Sequence, residues 1–114
     1  MSEESDLEAG ATGPDDAVSD AQAAIDEARR RVAEAPAEVV VVNHVMGLYE
    51  LAAIHLSAAQ PDLAAAALAI DAVGCLVEGL GDRLGAEAAT MRDALANIRM
   101  AFVEIKGRTA DAPS

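Results

Sequence analysis

The sequence predicts an all-α fold, and three observations support that prediction. Of its 114 residues, 53% are hydrophobic but only 2% are aromatic, so the apolar side chains are mainly aliphatic residues and alanine. Alanine is the best helix former, and only eight glycines and four prolines interrupt the pattern. Apolar residues also recur at alternating spacings of three and four, which is the helical period. A chain of this length holds one domain at most.

The N-terminal part is predicted to be an acidic tail followed by a helix. Residues 1–16 are polar and acidic with little to bury, so we expect them to be disordered. A solvated helix is predicted over about residues 17–35, since Ser19 with Gln22 suits a capping box and Pro36 closes the segment. Its thin apolar stripe follows the 3-4 spacing: Val18, Ala21, Ile25, Ala28 and Val32.

The next segment starts with four consecutive valines, residues 39–42, and allows three interpretations. β-Branched residues favour a strand, and about twenty largely apolar residues suit a membrane span. No partner strand is predicted downstream, however, and four polar residues make a bilayer location costly: Asn43, His44, Glu50 and His55. We therefore predict a helix over about residues 38–59.

This second helix should be buried on most of its circumference. At 100° per residue, its narrow polar stripe comprises Asn43, Gly47, Glu50 and Ser57. The opposite face is apolar and comprises Val41, Val45, Leu48, Tyr49, Ala52 and Leu56.

A third helix is predicted over about residues 61–83. Pro61 suits the first helical position, and Asp62 complements the positive end of the helix. One apolar face repeats at 3-4 spacing through Leu63, Ala66, Ile70, Val73, Val77, Leu80 and Leu84. A second apolar face comprises Leu68, Ala72, Cys75 and Leu76, so we expect neighbours on both sides.

The fourth helix is predicted over about residues 87–106, after a turn at Leu84 and Gly85. Lys106 followed by Gly107 is a favourable helix end, and residues 108–114 should be a disordered tail. The apolar seam comprises Ala88, Met91, Leu95, Ile98, Phe102 and Ile105.

These three helices predict a helical domain over residues 37–107. A three-helix up-down-up monomer is one solution. Its helices should show broad polar faces, whereas the second and third helices show only strips. Another copy normally covers such excess apolar surface, so we expect a helical homodimer.

The charge of the chain restricts its partners and predicts its location. The net charge is −12, with −8 in residues 1–38 and −4 in residues 39–107. This negative charge argues against binding to nucleic acid or to anionic membranes. It is compatible with a basic protein partner. Cys75, the single cysteine, excludes an internal disulfide and a multi-cysteine metal site. The acidic start lacks signal-peptide features, so we expect a cytoplasmic protein.

The two histidines and Asp71, the acid of the most apolar helix, have structural interpretations as well as functional ones. His44 and His55 lie eleven residues apart, about 16 Å along a helix, too far to share a metal in one chain. In an antiparallel dimer they could meet across chains, or His55 could bond a free carbonyl at its helix end. Asp71 is expected to form an ion pair with Arg99 or Arg92.

The remaining candidates carry no predicted chemistry. Cys75 is expected to be a buried small hydrophobe, and the methionines are expected to fill the core: Met46, Met91 and Met100. The glycines do not form a phosphate loop, since no strand precedes them and no lysine follows: Gly74, Gly79, Gly81 and Gly85. Neighbouring acids neutralise the triplet Arg29, Arg30 and Arg31. We predict no catalytic, cofactor or metal site.

Residues 45–105 resemble a bacterial family of small helical proteins, the domain of unknown function number eighteen forty-four. The matching positions are Ala53-Ile54-His55-Leu56, Pro61-Asp62-Leu63, Ile70-Asp71, Leu76, Glu78 and Ile98-Arg99-Met100-Ala101-Phe102-Val103-Glu104. The turn at residues 81–87 departs from the lysine-rich turn of that family. The resemblance implies a small all-helical bacterial protein and no particular reaction.

The sequence thus predicts a non-enzymatic protein that acts through protein–protein contact or self-association. In one version the acidic extension, residues 1–36, engages a basic partner, and in the other the apolar helices form a homodimer. The alternative is a small-molecule binder with an apolar pocket bordered by His44, His55 and Asp71.

Overall fold

A computed structural model describes residues 13–111, and all of its regular elements are helices. The elements are α1 (Pro14–Glu34), α2 (Ala37–Ser57), α3 (Leu63–Leu80), a 3-10 segment (Gly81–Glu87) and α4 (Ala88–Asp111). Because no strand occurs within these described residues, the all-α prediction is confirmed. The chain divides into two units, Met1–Ala35 and Pro36–Ser114.

Helix α1 begins at Pro14, three residues before the predicted start. Proline at the first helical position has a suitable φ, and Asp15 and Asp16 in the first turn complement the positive helix end. Residues 14–16 are therefore helical, contrary to the predicted tail, while residues 1–12 lie outside the described part. Ser19 lies inside the helix, so the predicted capping box is wrong. Within Pro14–Glu34 no residue is buried.

In the second unit, α2, α3, α4 and the 3-10 segment pack against one another around an apolar core. Small side chains let α2 and α3 approach closely: Ala52 and Ala66 are both 0% exposed. The polar stripe predicted for α2 is exposed at all four positions, and its predicted apolar face is buried or half-buried. The core comprises Val42, Val45, Ala52, Leu56, Ala66, Ala69, Ile70, Val73, Val77, Leu84, Ala88, Met91, Leu95 and Ile98.

Helix α3 begins at Leu63, two residues after its predicted start. Asp62 is the N-cap, and its Oδ1 accepts a hydrogen bond from the Ala65 N–H at 3.0 Å. A capping residue has a non-helical backbone, so α3 starts at Leu63 and Pro61 lies outside it.

Helix α3 ends at Leu80, three residues before the predicted end. Gly81 has a φ of 54°, which stops the helix, and Gly85 has a φ of 79°. Between these two glycines Leu84 points into the core and is only 2% exposed. The turn predicted at Leu84 and Gly85 is therefore present within the 3-10 segment.

Helix α4 continues to Asp111, past its predicted end. Gly107 does not adopt a positive φ and stays helical. The extra turn is supported by Thr109 Oγ1, which donates to the Ile105 carbonyl at 2.9 Å, and by a 3.9 Å ion pair between Arg108 and Glu104. Residues 108–111 are thus not a disordered tail, and 112–114 lie outside the described part.

Several large apolar side chains lie on the outer faces of the second unit. On the second apolar face of α3, Leu68 is 73% exposed and Cys75 is exposed, whereas Leu76 packs against the core. The neighbours predicted for this outer face therefore stay a prediction. The other exposed large apolar residues of this unit are Val39, Leu51 and Ile54 in α2 and Met100 and Val103 in α4.

The predicted cytoplasmic location does not stand. Two segments, Ala37–Ser57 and Leu63–Ala110, are long and apolar enough to cross a membrane by length and composition. In the most apolar 18-residue stretch of each segment, 22% of the first and 33% of the second is buried inside the protein. The cytoplasmic prediction rested on the acidic start without signal-peptide features, and it took no account of these two apolar segments.

Candidate functional site

The two histidines occupy separate environments on α2. His44 is exposed, and its Nδ1 lies 2.8 Å from the Val40 carbonyl oxygen one turn earlier. His55 is half-buried, and its main-chain carbonyl, rather than its ring, accepts a hydrogen bond from the Asp62 N–H at 3.1 Å. Among residues 13–111, no group of three or more His, Cys, Asp or Glu side chains can hold a metal ion.

The predicted ion pair of Asp71 is wrong, because the arginines of α4 have other partners. Arg99 Nη2 donates to Glu78 Oε1 at 3.0 Å, and Arg92 Nη1 donates to Asp82 Oδ1 at 3.3 Å. Asp71 is exposed and lies two helical turns before Glu78, about 10 Å along the axis. Arg99 lies over Gly74, which stands between Asp71 and Glu78 on α3, and its hydrogen bond goes to Glu78.

The Arg99–Glu78 pair crosses α3 over a buried glycine. A Cβ atom at Gly74 would lie 2.7 Å from Arg99 Nη2, so the absence of a side chain there opens the path for the guanidinium. The hydrogen bond from Arg99, and then its positive charge, lower the pKa of Glu78. The same hydrogen bond raises the pKa of Arg99. Because both side chains are about half exposed, this pair is a surface contact between α3 and α4.

Cys75 lies in an open depression on the outer face of α3, so the prediction of a buried cysteine is wrong. The depression holds about 700 Å³ and is shared with Asp71, Glu78 and Arg99. Thiolate chemistry needs a positive field, but the Arg99 guanidinium is bonded to Glu78. The depression therefore supplies no activated nucleophile.

An apolar groove of about 530 Å³ lies between the start of α2 and the start of α4. Its floor comprises Val42, Met46, Leu84 and Met91, and carboxylates at its rim belong to Glu38 and Glu87. The pocket predicted from the sequence was to be bordered by His44, His55 and Asp71. None of the three is among the described residues that line this groove, and the pocket that they would border stays a prediction.

The groove was missed because residues distant in sequence form it. The 3-10 segment brings Leu84 next to α2. The only sequence signal for this contact was the turn predicted at Leu84 and Gly85. The methionines were all predicted to fill the core. Met91 is buried and Met46 is half-buried, whereas Met100 is 64% exposed, so the prediction is wrong for Met100.

Of the acids predicted to neutralise the basic triplet of α1, Glu27 pairs with two of its arginines, whereas Asp26 accepts a hydrogen bond from Gln22. Arg30 Nη2 lies 3.0 Å from Glu27 Oε2, and Arg31 Nε lies 3.6 Å from Glu27 Oε1. Both pairs are solvent-exposed and therefore contribute little to stability.

The geometry therefore offers two candidate sites in the second unit, the exposed outer faces of its helices and the apolar groove. The chain matches no protein-family model, no curated protein and no solved structure.

Proposed function

We propose that this protein acts through protein–protein contact, and that its first contact is with a second copy of itself. The proposed assembly is a homodimer of a three-helix core, with α1 as an additional N-terminal helix. One observation carries the proposal: the outer face of α3 exposes Leu68 by 73% although the inner faces already fill a complete core.

The outer face of α3 suits contact with another helix. Leu68 and Cys75 lie two turns apart on it, and the neighbouring exposed positions Ala64 and Gly79 are small. Burying the Leu68 side chain contributes about 1–2 kcal/mol. Ile54 and Val103 on the adjacent helices, 63% and 67% exposed, can extend the contact.

The proposal assigns no catalytic residue, cofactor or metal. Two ion pairs near the α3–α4 contact support this part of the proposal, Arg99 with Glu78 and Arg92 with Asp82, because they occupy the charged groups that form them. Relationship to the domain of unknown function number eighteen forty-four is part of the proposal, and its support is the run of residues quoted above.

Light scattering of the full chain in water-based buffer tests self-association. The monomer has a mass of 11.6 kDa, and we expect twice that mass. Three separate variants locate the contact, Leu68→Glu, Ile54→Glu and Val103→Glu, each placing a charge on a different helix. We expect Leu68→Glu to give monomers. Ala59→Glu adds the same charge in the exposed α2–α3 connection and should leave the dimer intact.

A monomeric mass for the unmodified chain would contradict the proposal. Lipid is the competing occupant, since two segments are apolar enough for a membrane. Co-sedimentation with phosphatidylcholine vesicles separates the two: a dimer that stays in solution supports protein contact, and a monomer that partitions into vesicles refutes it.

A further inference from the structure

We propose that the groove between α2 and α4 binds a small amphiphilic cation, a compound with an apolar body and one ammonium or guanidinium group. This inference is independent of the proposed dimer, because the groove is separate from the outer face of α3. Two features point to this ligand class, the apolar floor and the charge of the rim.

The floor is apolar and adaptable. Val42, Leu84 and Met91 are core residues whose outer surfaces form it, and the half-buried Met46 lies beside them. Methionine is flexible and polarisable, so its side chain adjusts to ligands of different shape. A volume of about 530 Å³ lies within the usual range for small-molecule sites, about 300–1,000 Å³.

The rim carries two carboxylates, Glu38 and Glu87. Among the described lining residues there is no Lys, Arg or His, and the other polar ones, Asn43 and Thr90, are uncharged. Arg83 is on the 3-10 segment, but it is not one of those lining residues.

The helix ends do not reverse the sign of this site. Glu38 is in the first turn of α2, and Glu87 directly precedes α4, so each is near the positive end of a helix. Each helix end is equivalent to about +0.5 charge, against a full negative charge for each carboxylate. The two carboxylates and the two helix ends together carry a charge of about −1, which attracts a cation.

The position of Glu38 depends on a glycine in the turn. A Cβ atom at Gly85 would lie 3.1 Å from Glu38 Cγ, so the glutamate stem rests against the Gly85 backbone. The turn thereby restricts where the Glu38 side chain can lie at the rim of the groove.

Methyl NMR of the full chain, labelled with ¹³C at the methionine ε-methyl groups, tests the proposal. The probes are n-octylammonium, octanoate and 1-octanol, which share an alkyl body and differ in charge. We expect octylammonium to shift the Met46 and Met91 methyl signals and to leave Met100 unchanged, since Met100 lies on α4 away from the groove. It should bind about fivefold more tightly than octanol, and octanoate should bind least.

The rim is tested by the double variant Glu38→Gln and Glu87→Gln. Octylammonium should lose its advantage over octanol, while Glu50→Gln, an exposed change on α2 that is not at the groove, should keep it. Equal binding of octylammonium and octanoate to the unmodified chain would overturn the proposal, whether or not the variants fold. So would equal shifts at Met100, which would indicate non-specific surface binding.

Discussion

Replacement of Gly85 by alanine should destabilise the protein through the backbone of the turn. Gly85 has φ 79° and ψ −144°, a combination that residues with a Cβ atom rarely adopt. Such strain amounts to about 1–3 kcal/mol. The new Cβ atom would also lie 3.1 Å from Glu38 Cγ, and displacing that flexible side chain adds up to about 1 kcal/mol. We expect a loss of about 1–4 kcal/mol in the free energy of unfolding.

Two matched glycine variants separate strain from crowding. Gly81 has φ 54° and ψ −129°, but no described atom would lie within 4 Å of its Cβ, so Gly81→Ala should show strain alone, about 1–3 kcal/mol. Gly79 is helical and equally open, so Gly79→Ala should stabilise α3 by about 0.5–1 kcal/mol.

Urea unfolding followed by tyrosine fluorescence measures all three variants. Tyr49 is the only tyrosine and lies half-buried against the core, so its signal reports the second unit rather than α1. A Gly85→Ala variant within about 0.5 kcal/mol of the unmodified chain would refute the reasoning. A smaller loss of unfolding free energy for Gly85→Ala than for Gly81→Ala would also refute it, because the added crowding at Gly85 would then be absent.

Three further changes test the core and the surface pair. Leu84→Ala removes a side chain that is 2% exposed and should lower the free energy of unfolding by about 2–5 kcal/mol in the same urea assay. Ala52→Leu overfills a 0% exposed site and should lower it by about 1–3 kcal/mol; an unchanged midpoint would show that α2 and α3 are not closely packed there. Glu78→Gln should lower Tm at neutral pH, but the difference from the unmodified chain should vanish in acid. The folded-state pKa of Glu78 is depressed, so its stabilisation exists above the ordinary carboxyl pKa and is lost as pH falls through the folded value. A Tm difference that persists at about pH 2, well below ordinary carboxyl pKa values, would contradict that assignment.

Local periodicity predicted the helical class and the orientation of α2, because both depend on neighbours within two turns. The exposed stripe of Asn43, Gly47, Glu50 and Ser57 is one example. Helix ends were less predictable, since several end signals compete over a few residues. Helix α1 begins at Pro14, before the capping residue predicted at Ser19. Helix α4 continues past Gly107 because this glycine keeps a helical backbone.

Contacts between helices could not be predicted in the same way. Asp71 was paired with Arg99 or Arg92 because these residues are charged and on neighbouring helices, but the stagger of α3 and α4 places Arg99 over Gly74, where it bonds Glu78. Periodicity does not fix that stagger, and Gly74, which admits the Arg99 side chain, has no periodic signal of its own. The groove was missed for the same reason, as it depends on the path of the 3-10 segment.

The Arg99–Glu78 pair also restricts what can cover the outer face of α3. Arg99 crosses Gly74 to reach Glu78, so α4 meets α3 on the glycine side. Leu68 lies two turns before Cys75 on α3 and is 73% exposed, whereas the exposed Cys75 borders the same depression as Arg99 and Glu78. Helix α4 cannot turn to cover them without breaking this pair and withdrawing Leu95 and Ile98 from the core. In this arrangement of the second unit, Leu68 stays exposed. The mass of the full chain therefore tests whether a second copy covers Leu68, and vesicle co-sedimentation tests lipid as the competing occupant.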